Sequence, residues 1–165
     1  APATNMHEGV QLPSSGLAAL AVIAFGLLAP SRWLRFWGIG LLAVLWNGFG
    51  VAMYLSTVGV FGDPMAGLSG AERAAAASIP AWITAAFAIG TFAGLIGSLG
   101  LLLRKAWAVP VLIVSLIALL VMEGWILFLS GMVEVVGLAV PITVSLGAIL
   151  LAWLAVHARG RGWLA

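Results

Sequence analysis

Charge is the scarcest property of this chain. Of its 165 residues only 7% are Asp, Glu, Lys or Arg, against about 25% in ordinary soluble domains. That is too few to cover a soluble fold with a hydrated surface. Cysteine is absent, which excludes a disulfide framework, thiol chemistry and any Cys-based metal site. The two histidines, His7 and His157, stand at opposite ends of the sequence and make no metal-ligand spacing. The pI is near 10.0, yet the net charge is only +2 and the basic residues come in ones and twos. No basic face exists for nucleic acid to bind. The chain also lacks paired carboxylates, a nucleophile beside a base, and a phosphate-cradling glycine loop, so it reads as a non-enzyme without a cofactor.

What fills the chain is apolar. Hydrophobic residues make up 64%, with mean hydropathy +1.21. About 20 consecutive apolar residues cross a bilayer core, and several such runs follow one another. Lipid offers the backbone no hydrogen bonds, so only helices or closed barrels span it. Barrel strands alternate apolar and polar residues over about 10 positions. These runs are longer and apolar on all sides, which predicts an all-α membrane protein. The expected architecture is four transmembrane helices in a bundle, about 33–58, 79–103, 106–130 and 134–158, plus an N-terminal apolar helix. Residues 1–15 form a polar tail and 16–165 a single transmembrane domain. The start at Ala1 fits either loss of an initiator Met or cleavage of a preceding signal, and the residues favour neither.

The first apolar run, 16–29, is closed by Pro30 and covers roughly 24 Å as a helix counted from Ser14. That length suits either a short span or an interfacial helix. Arg32, Trp33, Arg35 and Trp37 then combine charge for headgroups with indoles for the membrane–water boundary. Arg104, Lys105 and Trp107 repeat the combination, as do Arg159, Arg161 and Trp163. With four spans, these three basic groups fall on one side, while Asp63, Glu72, Arg73 and Glu134 fall on the other. Six of the seven basic residues thus share one face, which the positive-inside rule makes cytoplasmic. The expected location is a bacterial inner membrane, multi-pass, with the end of the chain cytoplasmic.

Between the first two spans, Phe61-Gly62-Asp63-Pro64 reads as a turn. Ser69-Gly70-Ala71-Glu72 has the capping-box spacing, followed by an alanine-rich run that predicts a short surface helix. Gly90, Gly94 and Gly97 form a small-residue face for helix packing, and Thr91 and Ser98 can bond back to their own helix. Pro141 is expected to kink the last helix.

Glu123 is the sharpest chemical feature. It falls roughly 7 Å to the outer side of mid-membrane, where a lone carboxylate is costly and normally faces a bundle interior with partners. Asn47 lies near that depth and Tyr54 slightly further out, making Glu123, Asn47 and Tyr54 a candidate intramembrane polar site. It reads as a structural polar clasp, as an outer-edge residue reaching water, as a contact with a partner subunit, or as a proton- or cation-coupled site. Trp46, Trp125 and Trp153 lie deeper than the other indoles and read as bundle packing or as the lining of a pigment, quinone or lipid groove. His157 beside Arg159 reads as interfacial.

Leu45-Trp46-Asn47 with Gly50 and Tyr54 resembles the start of a family of small bacterial four-helix integral membrane proteins. So do Ile79-Pro80-Ala81-Trp82 and the stretch Leu101-Leu102-Leu103-Arg104-Lys105 with Ala108-Val109-Pro110-Val111, in that family's second and third helices. The resemblance runs from about Trp33 to Arg161. It implies a four-helix membrane fold and brings no catalytic or substrate residue with it, although some members are labelled sugar transporters. The apolar run before Pro30 departs from the pattern as an added helix. With small loops and glycine-rich faces, the expected role is a non-catalytic accessory or scaffold subunit. Its partners would be membrane lipids and other membrane subunits or a second copy, with no nucleic acid. The alternatives are a small oligomeric solute or proton-coupled transporter using Glu123, and a lipid, quinone or pigment binder.

Overall fold

The computed structural model describes residues 32–131 and 133–165. The expected tail 1–15 and apolar helix 16–29 lie outside the described residues. Two compact units divide the chain, Ala1–Leu42 and Ala43–Ala165. Among the described residues six helices follow in order: α1 Arg32–Thr57, α2 Gly70–Ala77, α3 Ala81–Leu102, α4 Ala108–Phe128, α5 Val133–Val136 and α6 Ala139–Gly160. In the first unit, α1 opens with Arg32, Trp33 and Arg35, Phe36 is buried, and Trp37 is exposed.

Among the described residues four helices, α1 from Phe36, α3, α4 and α6, are long and apolar enough to cross a membrane. This is the pattern of a multi-pass membrane protein. Burial in the second unit supports it, because polarity is inverted relative to a soluble protein. Asn47, Thr91, Ser98, Ser115 and Glu123 are buried, while Leu45, Phe49, Ile96, Ile117, Leu150 and Trp153 face outward. A water-soluble bundle places these classes the other way round.

The helix ends follow from backbone chemistry. α1 stops where Gly59 adopts φ +82. The Gly59 N–H then donates to Ser56 O and the Val60 N–H to Leu55 O, closing the last carbonyls in a Schellman motif. α6 ends the same way at Gly162, with Trp163 N–H donating to Ala158 O. α3 ends identically, with Lys105 N–H donating to Gly100 O, but its left-handed residue is Arg104 at φ 57. Among the described residues Arg104 alone takes a positive φ without being glycine. Pro80 caps α3, and Pro110 sits in the first turn of α4, where a missing N–H costs no helical bond.

The last helix differs from expectation. Residues 134–158 are not one kinked helix. Gly137 at φ +75 ends the one-turn α5, and α6 begins at Ala139. Pro141 therefore lies in the first turn of α6 and is buried there, where it is compatible with a straight helix.

α4 is the central element, packed against both α3 and α6. Its approach to α3 runs along glycines. A methyl group built on Gly90 would lie 2.7 Å from Leu119 Cγ, one on Gly97 2.6 Å from Leu112 Cγ, and one on Gly100 2.6 Å from the Trp107 ring. A methyl on Gly94 would overlap Asn47 Oδ1 and come within 3.0 Å of Ser115 Oγ. Gly97→Ala should therefore destabilise the fold by about 1–3 kcal/mol through overpacking. Gly124→Ala in α4 meets open space and should stabilise by up to about 1 kcal/mol through helix propensity. Denaturant titration in micelles separates the two, and equal effects would contradict a glycine-mediated contact.

On the connection between α1 and α3, Ser69 caps α2 in a complete capping box with Glu72. Asp63 Oδ1 accepts the Met65 N–H, and Arg73 Nη2 donates to Met65 O and Leu68 O. Hydrogen bonds from Ser69, its side chain first and then its backbone, hold the Glu72 carboxyl below its ordinary range. A depressed folded-state pKa means that the cap is present above the ordinary carboxylate value and is lost as pH falls through the lowered one. Ser69→Ala removes the hydroxyl but keeps the backbone N–H, so it should raise the Glu72 titration part of the way toward the ordinary carboxylate range and loosen α2, read by carboxyl NMR titration and amide exchange. An unchanged titration would contradict the cap.

Candidate functional site

The three residues singled out in the sequence take different places. Asn47 is buried on α1, and its Nδ2 donates to Ala43 O at 2.9 Å and to Ser98 Oγ on α3 at 3.1 Å. Ser98 Oγ in turn donates to Gly94 O at 2.7 Å. Ser115 on α4 reaches across to α3, donating to Gly90 O at 2.6 Å. Thr91 bonds back to Phe87 O and Ala88 O. The result is a small polar seam, Asn47–Ser98–Gly94 with Ser115 beside it, joining α1, α3 and α4.

Tyr54 is half-buried and stands apart from that seam. Its ring meets Phe87 and Phe92 edge to face, with centroids 5.7 and 5.8 Å away. Its role in the structure is carried by the ring. No hydrogen bond among the described residues joins Tyr54 or Asn47 to Glu123.

Glu123 is 4% exposed, on the same face of α4 as Leu112, Ser115, Leu119 and Met122. Its Oε2 has no hydrogen-bond partner among the described residues. Leu119 and Met122, one turn or less before it, pack with Ile83 in the apolar core, against Phe87, Trp125 and Val144. A buried carboxyl oxygen in such surroundings can accept a donor or hold a cation. It is the chemically unresolved group of the second unit.

A cavity of about 20 Å³ lies between α1, α4 and α6, lined by Asn47 and Ser115 together with Trp46, Leu119 and Gly147. That volume admits about one water molecule. Of the deep tryptophans, Trp125 packs against the core, Trp46 lines the cavity, and Trp153 points outward and stacks on His157 at 5.3 Å. No group of three His, Asp or Glu side chains among the described residues is placed to hold a metal ion.

Sequence reasoning missed Ser115 as a cross-helix donor and Gly100 as the fourth glycine of the packing face. The signal for both was spacing: Gly100 follows Gly97 by three residues, and Ser115 shares a helical face with Leu112 and Leu119. No family model, curated protein or solved structure matches the chain.

Because Asn47 is tied to Ser98, Asn47→Ala should cost about 1 kcal/mol, with a coupling of similar size in a double-mutant cycle with Ser98→Ala. Tyr54→Phe keeps the aromatic contacts and should change stability by less than about 0.5 kcal/mol. A larger loss from Tyr54→Phe than from Asn47→Ala would contradict these placements.

Proposed function

We propose that the chain is a non-catalytic integral protein of a bacterial inner membrane, acting as an accessory or scaffold subunit packed against a larger membrane complex. The observation that carries this reading is the closed interior. Its helices meet through glycines and short hydroxyl contacts, and the cavity beside the polar seam holds about one water molecule. Among the described residues this cavity is too small for a substrate. The segments between the spanning helices are short, with Asp63, Glu72 and Arg73 engaged locally or exposed. The end bearing Arg104, Lys105, Arg159 and Arg161 is the cytoplasmic one on the positive-inside rule. The resemblance to small four-helix bacterial membrane proteins agrees with this reading.

A second reading, an oligomeric solute or proton-coupled transporter, is favoured by one observation: the buried Glu123 Oε2 without a partner. Intramembrane carboxyls of that kind commonly mark ion or proton paths. For the third reading, a lipid, quinone or pigment binder, the cavity beside Trp46 among the described residues is too small to enclose such a ligand.

Native mass spectrometry of the protein released in mild detergent tests the first reading. The expected species is heavier than the 17.0 kDa chain and carries other membrane subunits. A free monomer alone would overturn it. In proteoliposomes, solute or proton flux that Glu123→Gln abolishes would establish the transporter instead.

A further inference from the structure

The α3–α4 turn and the segment after α6 are tied together at one end of the bundle. Ala106 N–H donates to Ala165 O at 2.8 Å, Ala165 N–H donates to Arg104 O at 2.7 Å, and Arg104 Nε donates to Trp163 O at 2.8 Å. Arg104 holds a left-handed backbone that glycine adopts without strain, φ 57. The guanidinium contact to Trp163 is what that position gains from being arginine. Its effect is to bring the cations of two distant segments to one end. Lys105, Arg159 and Arg161 are all exposed there, and among the described residues none of their side chains makes a hydrogen bond or ion pair.

The surroundings fit an anion at a membrane surface. Trp107 is exposed and Trp163 half-buried at the same end, the arrangement of indoles found at headgroup level. His157 lies between Trp153 and Trp163, stacked on the first and edge-on to the second. The carboxylates on the connections, Asp63, Glu72 and Glu134, belong to the opposite end, and Glu123 is buried within α4. No acidic side chain on the turn or the final segment competes for these cations.

We propose that Lys105, Arg159 and Arg161, gathered by the Arg104–Trp163 clasp, form a seat for the phosphate headgroup of an anionic phospholipid. The seat takes a lipid because its cations sit at the ends of two spanning helices, beside interfacial indoles. Basic groups at such a level contribute attraction to anionic lipid that falls off within a Debye length. The proposal does not depend on the accessory-subunit reading, since a monomer or a transporter would carry the same seat.

The test is lipid retention by the full chain, in nanodiscs of phosphatidylglycerol mixed with phosphatidylcholine, followed by native mass spectrometry. Phosphatidylglycerol should be retained in preference, and the preference should fall roughly fivefold for each cation removed by Lys105→Gln, Arg159→Gln and Arg161→Gln. Circular dichroism checks the fold, and should the triple variant unfold, the single variant Arg161→Gln decides. No preference in the native chain, or an unchanged preference in the folded variants, would overturn the proposal. Displacement of the lipid by excess inorganic phosphate would also overturn it, assigning the cations to a soluble anion.

Discussion

At four positions along α3 the contact with α4 is made with no side chain on the α3 side. Gly90, Gly94, Gly97 and Gly100 leave a groove, and Leu119, Ser115 and Leu112 of α4, with Trp107 just before it, fill it. In lipid, apolar side chains gain nothing by leaving one hydrocarbon surface for another, so helices associate through close contact and hydrogen bonds. The groove supplies both. It lets Ser115 reach the carbonyl of Gly90 on the neighbouring helix. It also lets Asn47 lie over Gly94 and bond Ser98. The docking of α1 in the second unit thus depends on the same missing side chains as the α3–α4 pair.

A bundle closed in this way has its chemistry at its edges rather than at its centre. The cavity beside Asn47 and Ser115 is one water wide, and the surrounding hydroxyls are engaged by carbonyls. What remains unengaged is distributed along the axis. Glu123 sits toward the end where α4 runs into α5, and the exposed cations Lys105, Arg159 and Arg161 lie at the other end. This separation of one buried carboxyl from a basic rim gives the molecule a direction in the membrane. It also separates the group that could couple to an ion from the groups that would meet lipid headgroups.

The spans, the capping box of α2 and the glycine face could be read from the sequence because each is a local pattern. Twenty apolar residues have few alternatives to a helix, and Ser69 with Glu72 forms a cap within one turn. Azimuth was not legible. Asn47, Tyr54 and Glu123 share a depth range, but depth says nothing about which way each side chain points around its helix. In the structure they separate into a seam with Ser98, an aromatic contact with Phe87 and Phe92, and a carboxyl whose Oε2 has no partner among the described residues. The start of α6 was misjudged for a related reason. Pro141 inside a long apolar run reads as a kink unless Gly137 is recognised as a left-handed stop four residues earlier. The clasp between Arg104 and Trp163 joins positions far apart in the sequence, and no local rule pairs them.

The account rests on which face of α4 meets protein and which meets lipid, and the absence of cysteine makes that face directly measurable. Single cysteines at Leu112, Ser115, Leu119, Ile113, Ile117 and Val121 can each carry a nitroxide label in a bilayer. Oxygen accessibility by electron paramagnetic resonance should be low at Leu112, Ser115 and Leu119, which are buried, and high at Ile113, Ile117 and Val121, which are exposed. A flat profile along α4, or one with the two sets reversed, would contradict the packing described and every functional argument built on it.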